Sequence, residues 1–322
     1  MTVCSGQPPG SGAGLAVGIC TYKRPAGLRR ALRHLREAIA IAPMAVSVVV
    51  VDNDGQDAAV EDVVRAELGN VSYRYVIERR PGISAARNAI VRAADELSVR
   101  YLAMLDDDEW PTERWLVELL AVTESEGVAV VGGPVSPVFP ADVASKLMRW
   151  ERYWSVEPQL LDGKPFVFCT CNFLVDLARL EEVARPFFDE EFGLSGGGDT
   201  AFFRKLFVLG IPMGWAKEAN LFEEVPRTRA TIQWLRQRKY RVGNHAVRWE
   251  LVGANPLAIA AKTVALGIRL AIYPLLGRDR GTPLMGWMLE AEKVRGRFAA
   301  HLGQHFLEYG RGKNAPGEKA CR

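Results

Sequence analysis

The chain has 322 residues, with 41 Lys and Arg against 38 Asp and Glu, for a net charge of +3. Apolar residues make up 48% and charged residues 25%, the composition of a soluble globular chain of one large domain or a domain with an extension. The net charge is too small to imply a polyanionic partner. The five scattered cysteines (Cys4, Cys20, Cys169, Cys171 and Cys321) are odd in number, which speaks against a disulfide framework. No histidine stands at zinc-site spacing to them. A reducing cytoplasm is the expected location.

The first fourteen residues, "MTVCSGQPPGSGAG", lack the basic start and apolar stretch of a secretory signal and read as a disordered tail. "LAVGIC" (Leu15–Cys20) predicts a strand. Pro25 opens a helix to about Ile41, with Arg29, Arg30, Arg33 and Arg36 on its wet side. "VSVVVV" (46–51) is a buried strand followed at once by "DNDG". A helix over 58–68, a strand over 71–77, a helix over 83–97 and a strand over 101–105 follow. Pro111 and Thr112 look like the start of the next helix, which runs to Glu126. A fifth strand covers 128–133. Valine-rich runs between helices predict parallel strands covered on both faces, a doubly wound α/β sheet. Later come a strand over 166–175, an acidic glycine-rich loop, a helix over about 200–209 and a short strand at "IPMGW". Beyond about Glu224 the pattern is helical.

Ligands of such sheets bind beyond the carboxyl ends of the strands. That rule puts "TYKR" after the first strand, "DNDG" after the second and "DDDE" (Asp106–Glu109) after the fourth on one rim. Two carboxylates about 4 Å apart repel by roughly 4 kcal/mol at an effective dielectric of about 20. Four consecutive acids are therefore solvated, capping a helix, or held by a cation.

The ordered motifs "VGICTYKRP", "VVVVDNDG", "PGISAARNAI", "AMLDDDEWP", "VGGPV" and "FDEEFGLSGGGDTAFF" resemble inverting family 2 glycosyltransferases of the GT-A fold. "CTYKRP", "LDDDE" and "FGLSGGGD" narrow the likeness to bacterial exopolysaccharide, succinoglycan-type enzymes. The resemblance implies a GT-A, Rossmann-like α/β fold, with a mostly parallel central sheet and flanking helices, plus a C-terminal helical extension. It divides the chain into a tail (1–14), a catalytic domain (15–225), a helical extension (226–310) and a second disordered tail (311–322).

The resemblance also implies a UDP-sugar donor and a Mn²⁺ or Mg²⁺ cofactor. Such an ion takes one or two protein carboxylates and completes its shell with phosphate oxygens and water. Asp108 is expected as its direct ligand, Asp106 as a metal or ribose contact, and Asp107 as an assistant to either. Asp52 matches the acid that accepts the uracil N3–H; turn formation by an Asx-Gly segment is the alternative. Thr21 and Tyr22 match nucleoside contacts, Arg24 a phosphate contact, and Arg87 and Asn88 a signature lining the nucleotide site. Asp199 matches the general base that deprotonates the acceptor hydroxyl. The family's preceding Glu is Gly198 here, which keeps open the alternative of an inactive homologue binding nucleotide sugar or membrane.

Residues 227–248 carry seven Lys and Arg and no acid. Arg238 or Arg241 would bind the departing diphosphate; a solvated helix face or lipid headgroups are the alternatives. No nucleic-acid-binding module accompanies them. Asn255 and Pro256 look like a cap and first position of a helix with 17 largely apolar residues before Pro274, interrupted by Lys262 and Arg269. Membrane-interface contact, packing on the domain and a membrane span remain open for it. A partner helix is expected over 284–309. The acceptor implied is a saccharide, free or linked to a polyprenyl diphosphate, and the expected site of action is the cytoplasm, at or near the inner face of the membrane.

Overall fold

The computed structural model describes residues 4–5, 14–192, 196–251, 255–276 and 283–304. The first half runs β1 (Cys4–Ser5), β2 (Leu15–Thr21), α1 (Pro25–Ala40), β3 (Val46–Asp52), α2 (Ala58–Leu68), β4 (Ser72–Ile77), α3 (Ile83–Glu96), β5 (Tyr101–Asp106), β6 (Glu109–Pro111), α4 (Trp115–Ser125), β7 (Val130–Gly132) and β8 (Val135–Val138). After α5 (Ala141–Leu147) come the hairpin β9 (Gln159–Leu161) and β10 (Lys164–Phe166), then β11 (Asn172–Asp176), α6 (Gly198–Val208), β12 (Met213–Trp215) and β13 (Leu221–Glu224). Three helices close the chain, α7 (Ile232–Glu250), α8 (Pro256–Leu276) and α9 (Pro283–His301).

The main sheet has the order β1-β4-β3-β2-β5-β11-β7-β12. β4, β3, β2 and β5 are parallel neighbours, as are β7 and β12; β11 runs antiparallel between β5 and β7. Alternate residues of each strand serve opposite faces. Leu15, Val17 and Ile19 of β2 join α1, α2 and α4 in one core, whereas Ala16 on β2 and Val49 and Val51 on β3 join α3 and α6 in the other. Both faces of the sheet are thus covered, as the valine-rich runs require. Register sets the strand ends level: Thr21 pairs with Asp52, and Cys20 with Asp106.

Several expectations are corrected. Glu109–Pro111 is a strand, paired with β13 in a second sheet of order β6-β13-β8, and the helix begins only at Trp115. Pro111 is tolerated there because an edge strand does not need its N–H. The strand expected over 166–175 is divided: Phe166 ends the β9–β10 hairpin, and only Asn172–Asp176 enters the main sheet. Cys169 and Cys171 lie in the irregular lead into it, their Sγ atoms 3.0 Å apart. Arg30 leaves the wet side of α1 to lie 4.2 Å over the Trp110 ring, where its charge meets the π-face. Within the N-terminal tail, Cys4 and Ser5 pair with the open edge of β4; the rest of residues 1–13, and all of 311–322, lie outside the described residues.

α7 and α9 approach so closely that a Cβ on Gly243 would stand 1.9 Å from the Lys293 carbonyl oxygen, and one on Gly296 2.0 Å from that of Tyr240. Asn255 accepts the Leu257 N–H at 2.8 Å, as expected of a cap, and α8 continues through Pro274 to Leu276. Among the described residues, no helix is long and apolar enough to cross a membrane.

Candidate active site

The four acids from the end of β5 to the start of β6 take four different environments. Asp107 turns inward and is 5% exposed. Its carboxylate accepts the Thr21 hydroxyl at 2.8 Å and Arg24 Nη1 at 3.1 Å. Burial pushes it up to about 6 against the pull of Arg24. The backbone of the acid turn lies directly on α1: a Cβ on Gly27 would sit 2.6 Å from the Asp107 carbonyl oxygen. The first turn of α1 therefore points its positive end at the acids.

Asp108 turns toward the rim. Arg24 Nη1 reaches it at 2.8 Å, and Arg229 Nη1 at 3.6 Å. Asp106 faces Arg87 at 3.7 Å. Desolvation raises its pKa, Arg87 opposes the rise, and Asp108 and Asp199 add to it by repulsion. Glu109 is 3% exposed and accepts the Asp106 N–H at 3.0 Å. Burial, with repulsion from Asp106 and Glu223, pushes its carboxyl well above the usual carboxylate range. Glu223 stands opposite Glu109 in the β6–β13 pair, and burial and Asp108 push it up to about 7 despite Arg238 and Arg229. The acid run is divided: Asp107 and Glu109 are buried in the fold, and Asp106 and Asp108 remain at the rim.

Their oxygens suit a hard divalent ion, which would relieve the repulsion that raises Asp106. Among the described residues, no group of three or more His, Cys, Asp or Glu side chains is placed to hold a metal ion. An ion on Asp106 and Asp108 would complete its shell with ligand oxygens or water.

The remaining sequence-selected residues fall into distinct roles. Asp52 is 0% exposed; its carboxylate accepts the Asp54 N–H at 2.9 Å and the Tyr75 hydroxyl at 2.8 Å. The Asx-turn alternative is the one its geometry displays. Thr21 is spent on Asp107, while Tyr22 is exposed, with Lys23 Nζ 5.2 Å from its ring centre. Asn88 departs from expectation. It is 2% exposed, and its amide brackets the backbone of Phe188, with Nδ2 donating to the carbonyl at 2.7 Å and Oδ1 accepting the N–H at 3.0 Å. It anchors the segment leading to Asp199. Arg238 lies 3.5 Å from the Tyr153 and Trp154 carbonyls, with the charges of Glu223 and Arg241 beside it.

Asp199 occupies the first turn of α6, after Gly197 at φ +87°, and accepts the Thr200 N–H at 2.7 Å. Its charge reaches Asp106. Gly198 has a packing reason: a Cβ there would stand 3.0 Å from Phe192 Cβ and 3.1 Å from Ser84 Oγ. A glutamate would need α6 or Phe192 to shift.

Sequence reasoning missed Arg229, Glu223 and Asn53. Arg229 was visible only as part of a basic run; the β6–β13 pairing brings it to Asp108. Asn53 donates to the Glu78 and Arg80 carbonyls, both at 2.7 Å, and so fixes the loop before α3.

Residues 16–183 match Glycosyl transferase family 2, and residues 101–302 match Glycosyl transferase family group 2. The succinoglycan biosynthesis protein ExoM of Rhizobium meliloti is 33% identical over 229 residues, which are 70% of this chain and 72% of that protein. Hyaluronan synthase of Pasteurella multocida is 26% identical over 237 residues, 63% of this chain but only 24% of that enzyme. The mannosyltransferase PcManGT of Pyrobaculum calidifontis, solved with GDP-Man and Mn²⁺, superposes with a TM-score of 0.59 at 15% identity, over 92% of this chain and 90% of that one. At that identity the likeness is one of fold. The chain belongs to glycosyl transferase family 2 and is a glycosyltransferase of the GT-A fold.

Proposed function

We propose that the protein transfers a sugar, with inversion, from a UDP-sugar to a saccharide or polyprenyl-diphosphate-linked saccharide in bacterial surface or exopolysaccharide synthesis, at the inner face of the cytoplasmic membrane. The observation that carries this reading is the meeting of Asp106 and Asp108 with Arg24, Arg87 and Arg229 on the rim, with Asp199 in electrostatic reach of Asp106. The kinship with ExoM supports the polysaccharide context. Residues 15–225 form the catalytic unit in this reading, and 226–310 the extension.

Asp108 and Asp106 would hold Mn²⁺ or Mg²⁺, which when bound neutralises charge on the departing diphosphate. Arg24 and Arg229 supply guanidinium donors of the geometry phosphate oxygens accept, with Arg238 and Arg241 behind them. Thr21 and Asp107 hold Arg24 in place, and Tyr22 is the exposed face offered to the nucleoside. Arg87 fixes Asp106. Asp199 takes the proton of the acceptor hydroxyl as that oxygen attacks the anomeric carbon.

Calorimetry of UDP with and without Mn²⁺, on the wild type and Asp108→Ala, tests the reading. Metal-dependent UDP binding that the substitution abolishes is the expected result. Absence of UDP binding with every divalent ion tried would refute it.

A further inference from the structure

We propose that the outer face of α8 is a membrane-docking surface that lies flat in the headgroup region of an anionic bilayer. This deepens the membrane location proposed above and names the surface responsible.

The helix is anchored on one side. Thr263 is 1% exposed, its hydroxyl accepts Arg297 Nε at 3.0 Å, and His301 Nε2 lies 3.0 Å away. Arg297, itself 1% exposed, pairs with Glu250 at 2.7 Å, and Lys262 meets the same carboxylate at 2.9 Å. α8 is therefore clamped to α7 and α9 and cannot roll its other face inward.

That other face is apolar and uncovered. Leu257 is 79% exposed, Val264 52%, Ile268 61% and Ile272 42%. At 100° per residue these four fall in a sector of about 80°, and Ala261 lies within it. The stripe is about 22 Å long. On α9, Phe298 is 43% exposed and packs beside Gly267, which widens the face. An uncovered apolar patch of this extent marks an interaction surface.

Charge selects the partner. α8 carries Lys262 and Arg269, both about 60–80° beyond one edge of the sector, and no acid; Lys262 shares the Glu250 carboxylate with Arg297, so the group as a whole stays cationic. Two copies of such a cationic face would repel each other, whereas anionic lipid attracts it. An apolar stripe with basic residues at its edge is the pattern of a helix lying in the interface plane.

The test is flotation of the full chain with vesicles of phosphatidylcholine, or of equal parts phosphatidylcholine and phosphatidylglycerol. Flotation with the anionic vesicles that weakens with salt is expected, with at least about a tenfold loss of partitioning in Ile268→Glu at unchanged melting temperature. Failure of the wild type to float, equal flotation with both vesicles, or wild-type behaviour of Ile268→Glu would each overturn the proposal. So would a dimer in light scattering that Ile268→Glu dissolves while flotation persists. Should Ile268→Glu fold poorly, hydrogen exchange of wild-type residues 256–276 decides: slowing by anionic vesicles is expected, and unchanged exchange refutes. No nucleotide enters the assay, so this outcome is independent of UDP binding.

Discussion

Arg24 and Asp108 meet at 2.8 Å although 84 positions separate them, and the same nitrogen of Arg24 reaches Asp107 at 3.1 Å. One guanidinium thus ties the start of α1 to both acids of the turn after β5. In the proposed site it would compete with a cation for Asp108 and would contact the diphosphate. Arg24→Ala is therefore expected to split two affinities. Mn²⁺ alone should bind more tightly, while UDP in the presence of Mn²⁺ should bind about tenfold more weakly, as the loss of a charge-assisted hydrogen bond implies. Calorimetry of the two titrations reads both; a parallel fall would remove Arg24 from the phosphate site.

Asp199 lies in α6, outside the turn that holds Asp106 and Asp108. Asp199→Asn should leave metal-dependent UDP binding within about twofold of wild type, and lower transfer by roughly 10² to 10⁴. Paired binding and turnover measurements separate a base from a donor ligand. A loss of UDP affinity equal to the loss of turnover would refute the assignment.

Glu223 gives the protein a pH dependence with a definite sign. Its pKa is raised from 4.5 to about 7, so the fold favours the protonated acid. That contribution is complete below about pH 4.5 and is lost as pH rises through about 7. Above that range the buried anion opposes Asp108. Glu223→Gln should raise the melting temperature at pH 8 by roughly 2–4 °C and leave it unchanged at pH 5. Thermal scans across that interval check the slope; a gain equal at both ends would refute the assignment.

Asn172, 1% exposed, closes three chain segments at once. Its Oδ1 accepts Trp115 Nε1 at 2.8 Å, and its Nδ2 donates to the Pro134 and Ala219 carbonyls at 2.8 and 2.7 Å. Asn172→Leu leaves a buried indole N–H and two carbonyls short of partners, at a cost of about 3 kcal/mol. Urea unfolding should show the midpoint fall at constant slope.

The first half of the fold is legible in the sequence because its signals are local. Val46–Asp52 is continuous valine before an acid, and Pro25 sets the start of α1 where its missing N–H costs nothing. The expected level rim follows from parallel order alone, and Thr21, Asp52 and Asp106 do end together. What escaped has a common cause. Glu109–Pro111 looks like a helix start because its strand character comes only from β13, more than a hundred positions away. Arg229 is one cation in a basic run until that pairing delivers it to Asp108. Asn88 sits inside a nucleotide-site signature, yet its partner is a backbone 100 positions on. Gly198 looked like a missing acid; the nearness of Phe192 and Ser84, unreadable from the chain, accounts for it.

β11 enters the sheet at Asn172, beside the carboxyl end of β5, and runs down against its neighbours. Every acid and base of the rim up to Asp108 comes from a single uninterrupted stretch of chain before that reversal. Asp199, Glu223 and Arg229 come from segments after it. Length changes in the later segments leave the order and register of the earlier strands untouched. The two halves can change at separate rates, one carrying Asp52, Asp106 and Asp108 and the other Asp199, Glu223 and Arg229.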